Sequence, residues 1–442
     1  MTADTTGLRK FLKDSTLTFT QQALSLVLGF AWSVALARSL GKKGMGVYTL
    51  TLLFATMTVT LVNWGVPAAT IYLVSSKKYD HPSALFNNLM LTLFQSIIGI
   101  LGALAFLFLF KNRFLGNVDK HYLYWVLIII PVSLTNLNLR VIFQAVGDFK
   151  AFNIVAISRL FWGVIFLTIL FFFQAVTVSR ALWATIAAEM LTFFLILYFL
   201  RKHISFSDLR WHLSIAYIKD ILNYGWKIYI ASIFTFFNYK QDRFLLNAYL
   251  SPASVGVYNI GANLGEKLWL LSQSVSTVLF PKIASLKDNE MQRRWITPFI
   301  SRHIFLGTSL AAALLFWITP TLIQLFYGDE FVEAAAVLRV ILPGVVFLTI
   351  SRIVSNDISG RGHPGVNTVL SGVSLLINLT ANLLLIPRWG VLGAAWASSI
   401  SYTLDALMKT SAYSHIAKVP WWDIFILHRS DFYVWRKLLR SI

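Results

Sequence analysis

The chain has 442 residues, of which 57% are hydrophobic and 13% charged, with no cysteine and a formal net charge of +19. Soluble domains carry about a quarter charged residues, so a disordered chain, a disulfide scaffold and a soluble enzyme are excluded, as are thiol chemistry and cysteine-held zinc or iron–sulfur clusters. The 38 Lys and Arg against 19 Asp and Glu fall as short clusters between long charge-poor runs, the pattern of a polytopic membrane protein and not of a nucleic-acid binder.

A membrane-crossing helix needs about 20 mainly apolar residues. Six such segments (15–37, 46–74, 85–110, 122–143, 152–174 and 180–200) precede a polar stretch from Arg201 to Asp220. Six more follow, at 224–248, 255–280, 298–326, 336–357, 365–386 and 389–412. The chain therefore reads as all-α: twelve transmembrane helices, with an N-terminal six-helix lobe over 1–205, a cytoplasmic linker over 206–220, a C-terminal six-helix lobe over 221–412 and a basic tail over 413–442. The second and eighth helices are the weakest, interrupted by Gly65, Pro67 and Glu266. The first begins too late and runs too long for a cleaved signal peptide.

Basic residues set the orientation. With the amino terminus, the even-numbered connections and the tail on one side, that side holds 23 Lys and Arg against 8 on the other, the remaining seven lying within helices. Positive loops stay inside, so both termini are expected in the cytoplasm and the protein in the cytoplasmic (inner) membrane. In the last dozen residues Trp435, Leu438, Leu439 and Ile442 alternate with Arg436, Lys437 and Arg440, which predicts an amphipathic helix on an anionic leaflet.

The chain also resembles itself. Leu40, Gly46, Val47 and Tyr48 recur 210 residues on as Leu250, Gly256, Val257 and Tyr258, and Pro131 and Arg140 recur 212 on as Pro343 and Arg352. An even number of helices per repeat makes the repeats parallel, related by an axis along the membrane normal. Two such lobes enclose a central cavity, and rocking of one against the other gives alternating access. Glycines before Tyr48 and Tyr258 are expected to make tight turns at the outer face, with the tyrosines at the interface. Gly65 and Pro67 are expected to bend or break the second helix.

The residues of the repeat carry a family resemblance. ARSLGKKGMGVYTLTLLF (Ala37 to Phe54), RVIFQAVGDFKAFN (Arg140 to Asn153), DRFLLNAYLSPASVGVYNIGANL (Asp242 to Leu264), FYGDEFVEAAAVLRVILPG (Phe326 to Gly344) and GRGHPGVNTVLSGVSLLINLTANLLLIPRWGVLGAAWAS (Gly360 to Ser398) resemble, in order and spacing, the Wzx-type polysaccharide and O-antigen flippases. These belong to the multidrug/oligosaccharidyl-lipid/polysaccharide exporter superfamily. The resemblance implies a MATE-like fold, and a cavity lined by the first, second, seventh and eighth helices. The implied cargo is a polyprenyl-pyrophosphate-linked oligosaccharide moved from the inner to the outer leaflet, with membrane lipids, a polysaccharide polymerase and glycosyltransferases as partners. It does not identify the sugar.

Charges inside spans are the informative ones, because each is costly there and faces protein or water. Lys240 and Arg243, three apart on one helix face, stand beside Asp242, and Glu266 and Lys267 lie near the middle of the eighth segment. A lipid pyrophosphate needs cations, and arginine offers forked contacts to phosphate where lysine offers a point charge. The cationic set is therefore read as Lys240, Arg243 and Lys267, with Arg38 at the outer rim of the first helix. Trp226, Tyr229, Tyr239 and Trp269 are candidates to stack on sugar, and Asn259, Asn263 and Gln273, on one polar stripe with Glu266, to hydrogen-bond it. Glu266 and Asp242 are candidates to couple transport to H+ or Na+, or else are internal partners that hold the cations; no other cofactor and no metal is expected.

Bland readings stand beside these. Lys240 and Arg243 are near enough to the outer end to snorkel. For Arg140 and Arg352 at helix ends, anchoring to headgroups outweighs substrate contact. Arg159 and Glu189, at similar depth, suit a structural ion pair, and Asp405 a partner in its own lobe. No nucleotide-binding lysine motif, paired carboxylates or nucleophile elbow points to an enzyme. Two rivals remain: a cation-coupled multidrug antiporter of the same superfamily, which calls for an acidic cavity, and an integral glycosyl- or acyltransferase, which calls for a catalytic loop.

Overall fold

The computed structural model describes residues 5–203, 213–270, 272, 273, 279, 283, 289–429 and 431, with side chains from residue 16 onward apart from that of Lys227. The predicted helix of the last dozen residues and residues 206–212 of the linker lie outside the described residues; the end of the linker, from Ile215, is already helix. Among the described residues every regular element is helical: α1 (Thr5–Val62), α2 (Val66–Ser75), α3 (His81–Phe114), α4 (Lys120–Tyr124), α5 (Val126–Ala145), α6 (Phe149–Phe172), α7 (Val178–Leu200), α8 (Ile215–Tyr249), α9 (Pro252–Glu266), α10 (Glu290–Tyr327), α11 (Glu333–Gly360) and α12 (Pro364–Ala417), with short 3-10 turns at Asp329–Phe331 and Trp421–Ile424.

Eight helices among the described residues are long and apolar enough to cross a membrane. The sequence reading has twelve, and two of the eight explain part of the difference. α1 has 58 residues and α12 has 54. Straight helices of those lengths would run to about 80–87 Å, far beyond the roughly 30 Å of hydrocarbon. Each is broken at a glycine in the left-handed region, Gly41 (φ 64°) and Gly390 (φ 57°). Each therefore holds two apolar arms where hydropathy predicts two spans. The 35-residue α8 is not among the eight because its interior is too polar, and α9, at 15 residues, is too short to cross. The predicted break in the second segment is present: Trp64 and Gly65 adopt positive φ, and Pro67 opens α2.

The chain divides into two compact units, residues 1–236 with 250–256, and residues 237–249 with 257–442. The division passes through the unbroken helix α8.

In the first unit, apolar side chains of α5, α6 and α7 (Leu139, Ile142, Val155, Ile196) pack into one cluster. A buried polar ladder runs beside it: Asn138 Nδ2 donates to Gln95 Oε1 at 2.9 Å, Asn88 Nδ2 to Thr70 Oγ1 at 3.0 Å, and Tyr217 OH to Asn88 Oδ1 at 3.0 Å. Such groups must be satisfied by protein where water is absent. Outward, Phe108, Phe172 and Phe173 are 78–89% exposed, as lipid-facing side chains are.

The second unit packs α10 and α11 around Ile350, Val354 and Ile358. Tyr413 and Ala417 of α12 are fully buried in the same cluster, so the region read as the start of the tail begins as helix core. After it, Ile424 is buried and Phe425 lies 5.3 Å from the Phe305 ring. Arg302 is bonded to Asp431.

Two expectations from the repeat are corrected. Gly46 and Gly256 make no turn: both lie inside helices, where the backbone at Lys42–Gly46 meets the backbone at Pro252–Gly256. Tyr48 and Tyr258 are not interfacial, being 5% and 0% exposed. Their hydroxyls meet Thr185 Oγ1 at 2.9 Å and Ser398 Oγ at 3.2 Å. A phenol in hydrocarbon needs a partner, and each half supplies a hydroxyl at the matching place of its last helix.

A buried charge quartet and an aromatic-faced arginine

The charged residues singled out in the seventh and eighth segments come together in the second unit. One turn of α8 presents Tyr239, Lys240, Asp242 and Arg243, and α9 presents Tyr258, Asn259 and Glu266. Lys240 Nζ lies 3.2 Å from Glu266 Oε2, Arg243 NH2 3.4 Å from Glu266 Oε1, and Arg243 NH1 3.0 Å from Asp242 Oδ1. Arg243 Nε donates to Asn259 Oδ1 at 3.1 Å, and NH1 also to the Tyr239 carbonyl at 2.7 Å. Asp242 accepts further from Tyr258 OH and, at 3.3 Å, from Ser398 Oγ.

Arg243 is 1% exposed, so it does not snorkel. Every nitrogen of its guanidinium is engaged within the protein. Two cations and two carboxylates make the quartet neutral, which is what burial at this depth requires. The surplus of positive charge expected from counting these helices is thus cancelled across them. Lys240 keeps about a third of its side chain exposed.

Glu266 owes its position to the end of α9. The helix stops at Glu266, and Lys267, Leu268 and Leu270 turn by i→i−3 bonds of 3.1–3.3 Å. A carboxylate at a helix C-terminus is opposed by the helix dipole, so the two cations of α8 hold it there. The polar stripe therefore follows helical spacing through Asn259, Asn263 and Glu266 only. Lys267 and Gln273 are exposed beyond the break, and Asn263 is half-buried.

Two side chains meant for sugar do meet. Tyr239 and Trp269 lie 5.0 Å apart, with Tyr402 at 5.6 and 6.0 Å from them. Against them stands a residue undervalued by sequence reasoning: the Arg352 guanidinium lies 4.3 Å from the Trp269 ring centroid and 5.8 Å from that of Tyr239. Among the described residues no carboxylate pairs with it. Arg352 is half-buried and eight residues short of the end of α11, so it is not a helix-end headgroup anchor. The signal that could have found it is the Pro-to-Arg spacing of the repeat.

Other expected residues fall elsewhere. Trp226 and Tyr229 lie on the part of α8 that belongs to the first unit. Trp226 is half exposed there, and Tyr229 OH donates to the Leu61 carbonyl at 2.5 Å. Arg38 is exposed on α1, also in the first unit, while the quartet closes wholly within the second. Asp405 has its expected partner, Lys409 Nζ at 2.9 Å, and accepts from Ser374 Oγ at 2.6 Å and from Ser351.

These features define a class: a multi-pass, all-α membrane protein with kinked long helices and a polar, charge-paired interior. Its likeness to solved structures gives the fold. An inward-facing multidrug resistance MATE family transporter aligns with a TM-score of 0.74 at 14% identity, over 89% of this chain and 94% of that one. The lipid II flippase MurJ, in an inward closed conformation, aligns with a TM-score of 0.75 at 14% identity, over 92% and 88%. The chain belongs to the polysaccharide biosynthesis protein family, whose profile matches residues 11–287.

Curated relatives match over about half of the chain. A probable low-salt glycan biosynthesis flippase of Haloferax volcanii, Agl15, is 23% identical over 204 residues, 46% of this chain and 43% of that protein. A putative O-antigen transporter of Shigella flexneri is 21% identical over 224 residues, 50% and 53%. The chain spans about half the length of the curated relatives it matches.

Proposed function

We propose that the protein is a flippase that moves polyprenyl-pyrophosphate-linked oligosaccharide from the inner to the outer leaflet of the cytoplasmic membrane by alternating access, and that it catalyses no covalent step. The observation that carries this reading is membership of the polysaccharide biosynthesis protein family, joined to a MATE-like fold. In the proposal twelve spans form two six-helix lobes, both termini are cytoplasmic, and a polymerase and glycosyltransferases act on the same lipid-linked sugar.

In this reading the cargo contacts shift from the neutral quartet toward the cations it leaves over. Arg352, packed against Trp269 and without a carboxylate partner among the described residues, offers its guanidinium to phosphate, and Tyr239 and Trp269 offer rings to sugar. Lys267, exposed just past the end of α9, is another cation left outside the quartet. Glu266 and Asp242 are where H+ or Na+ would couple, since neutralising either carboxylate releases a cation from the quartet.

Vesicles reconstituted with the protein and a fluorescent lipid-linked oligosaccharide test the function. Time-dependent movement of the label between leaflets is expected, slowed about tenfold or more by Arg352→Gln through loss of a charge-assisted contact. Movement of a cationic dye with none of the lipid would instead identify an antiporter. Orientation has its own test, clean because the chain has no cysteine. Lys77→Cys, exposed between α2 and α3, is expected to resist an impermeant maleimide in intact cells and to react once they are opened. Labelling of intact cells would reverse the topology.

A further inference from the structure

A charged cleft lies in the first unit and shares no residue with the quartet. It opens between α5, α6 and α7, has a volume of about 140 Å3 and is lined by Ser133, Asn136, Arg140, Arg159, Glu189 and Thr192 on its polar side. All three helices belong to segments apolar enough to span the membrane.

Glu189, 7% exposed, is the anchor of the cleft. It accepts from Asn136 Nδ2 at 2.6 Å and from Ser133 Oγ at 3.3 Å, and Arg159 NH1 reaches it only at 3.5 Å. Half of the Arg159 side chain remains exposed. Among the described residues Arg140 has no paired carboxylate: it packs 5.0 Å from the Phe152 ring centroid, and its buried Nε has no hydrogen-bond partner. Two guanidiniums against one carboxylate leave the cleft at +1. A charge left over inside a spanning helix is costly unless something neutralises it.

We propose that this cleft binds a phosphate oxyanion, held between Arg140 and Arg159, with the ester chain of a lipid lying along its apolar wall. A monoanion brings the cleft to neutrality. The tetrahedral oxygens of phosphate match two forked donors better than a planar carboxylate does. Leu137, Val155 and Ala156 form its apolar wall, which suits an acyl or prenyl chain. The bound group is a headgroup phosphate of the surrounding bilayer, with free phosphate as the other source of the same chemistry. The inference rests on charge and position in this cleft alone, and binding is measured without transport.

The experiment uses the full-length protein purified in zwitterionic detergent, with two probes. Phosphatidylglycerol retained per protein is counted by native mass spectrometry against phosphatidylcholine, and inorganic phosphate is titrated while thermal unfolding is followed. Arg140→Gln is expected to weaken binding at least tenfold, and Glu189→Gln, which removes the competing negative charge, to tighten it. Retention of phosphatidylglycerol with that mutant order assigns the site to a bilayer lipid; a response to inorganic phosphate alone, in the same order, assigns it to free phosphate. If Arg140→Gln does not fold, Arg159→Gln takes its place, with the same direction required. The proposal is overturned if neither probe separates wild type from the arginine variant, or if Glu189→Gln moves binding in the same direction as the arginine change.

Discussion

Arg243→Met is expected to destabilise the second unit by about 3–5 kcal/mol, the usual consequence of removing one partner from a buried ion pair. The variant leaves Asp242 and Glu266 sharing Lys240 alone, with a net charge of −1 in a place with almost no access to water. Four contacts vanish together: those to Asp242, Glu266, Asn259 and the Tyr239 carbonyl. Arg243→Lys keeps the charge but concentrates three donors on one nitrogen where arginine spreads five over three, so it cannot reach all four partners and is expected to fall between. The decisive variant is the double change Arg243→Met with Asp242→Asn, which restores neutrality by leaving Lys240 opposite Glu266. It is expected to recover most of the lost stability, because a buried pair is worth little more than a matched apolar replacement. Thermal unfolding followed by size-exclusion of the detergent-solubilised protein reads the series. A single Arg243→Met variant as stable as wild type would mean that the quartet is not the charge-balanced unit its geometry describes.

That series bears on how much of the site was legible in the sequence. Helical, membrane-spanning character was, since hydropathy reports directly on transfer to hydrocarbon, and eight helices among the described residues are long and apolar enough to cross. Pairing at matched depth was too: Arg159 and Glu189 do meet, and Asp405 finds Lys409 four residues along its own helix. Neutrality of the quartet was not. A count per helix gives Lys240, Arg243 and Lys267 more weight than Asp242 and Glu266, but charge balance is struck across helices and sequence does not show which residues face. Arg352 was hidden for a similar reason. Its setting is made by Trp269 and Tyr239 from other elements, and a span drawn to residue 357 instead of Gly360 moved it toward the membrane surface. The two tyrosines were misplaced because aromatic residues at an expected interface are common, whereas a hydroxyl partner on a distant helix leaves no mark in the local sequence.

The glycines of the repeat carry the other large effect, and they show how a weak sequence signal can stand for a hard steric constraint. Gly46→Ala would place a methyl 1.6 Å from the Pro252 carbonyl oxygen and 2.4 Å from its carbon. Gly256→Ala would place one 2.3 Å from the Lys42 carbonyl oxygen. Both obstacles are backbone, so no rotamer change relieves them and the helices must separate. Overpacking a core with side chains as neighbours costs about 1–3 kcal/mol; here the expected cost exceeds that range for Gly46→Ala, enough to abolish folded protein at 37 °C, with Gly256→Ala milder. Close backbone approach through small residues is a main source of helix association where lipid replaces water, so larger residues at either position should be worse. Gly102→Ala and Gly307→Ala are the controls, because a methyl at either meets nothing within 4 Å. Helix propensity predicts that they gain up to about 1 kcal/mol. Folded yield and thermal midpoint of the four variants, measured side by side, test the contact. Equal midpoints for Gly46→Ala and Gly102→Ala would show that the two repeated glycines do not hold this crossing together.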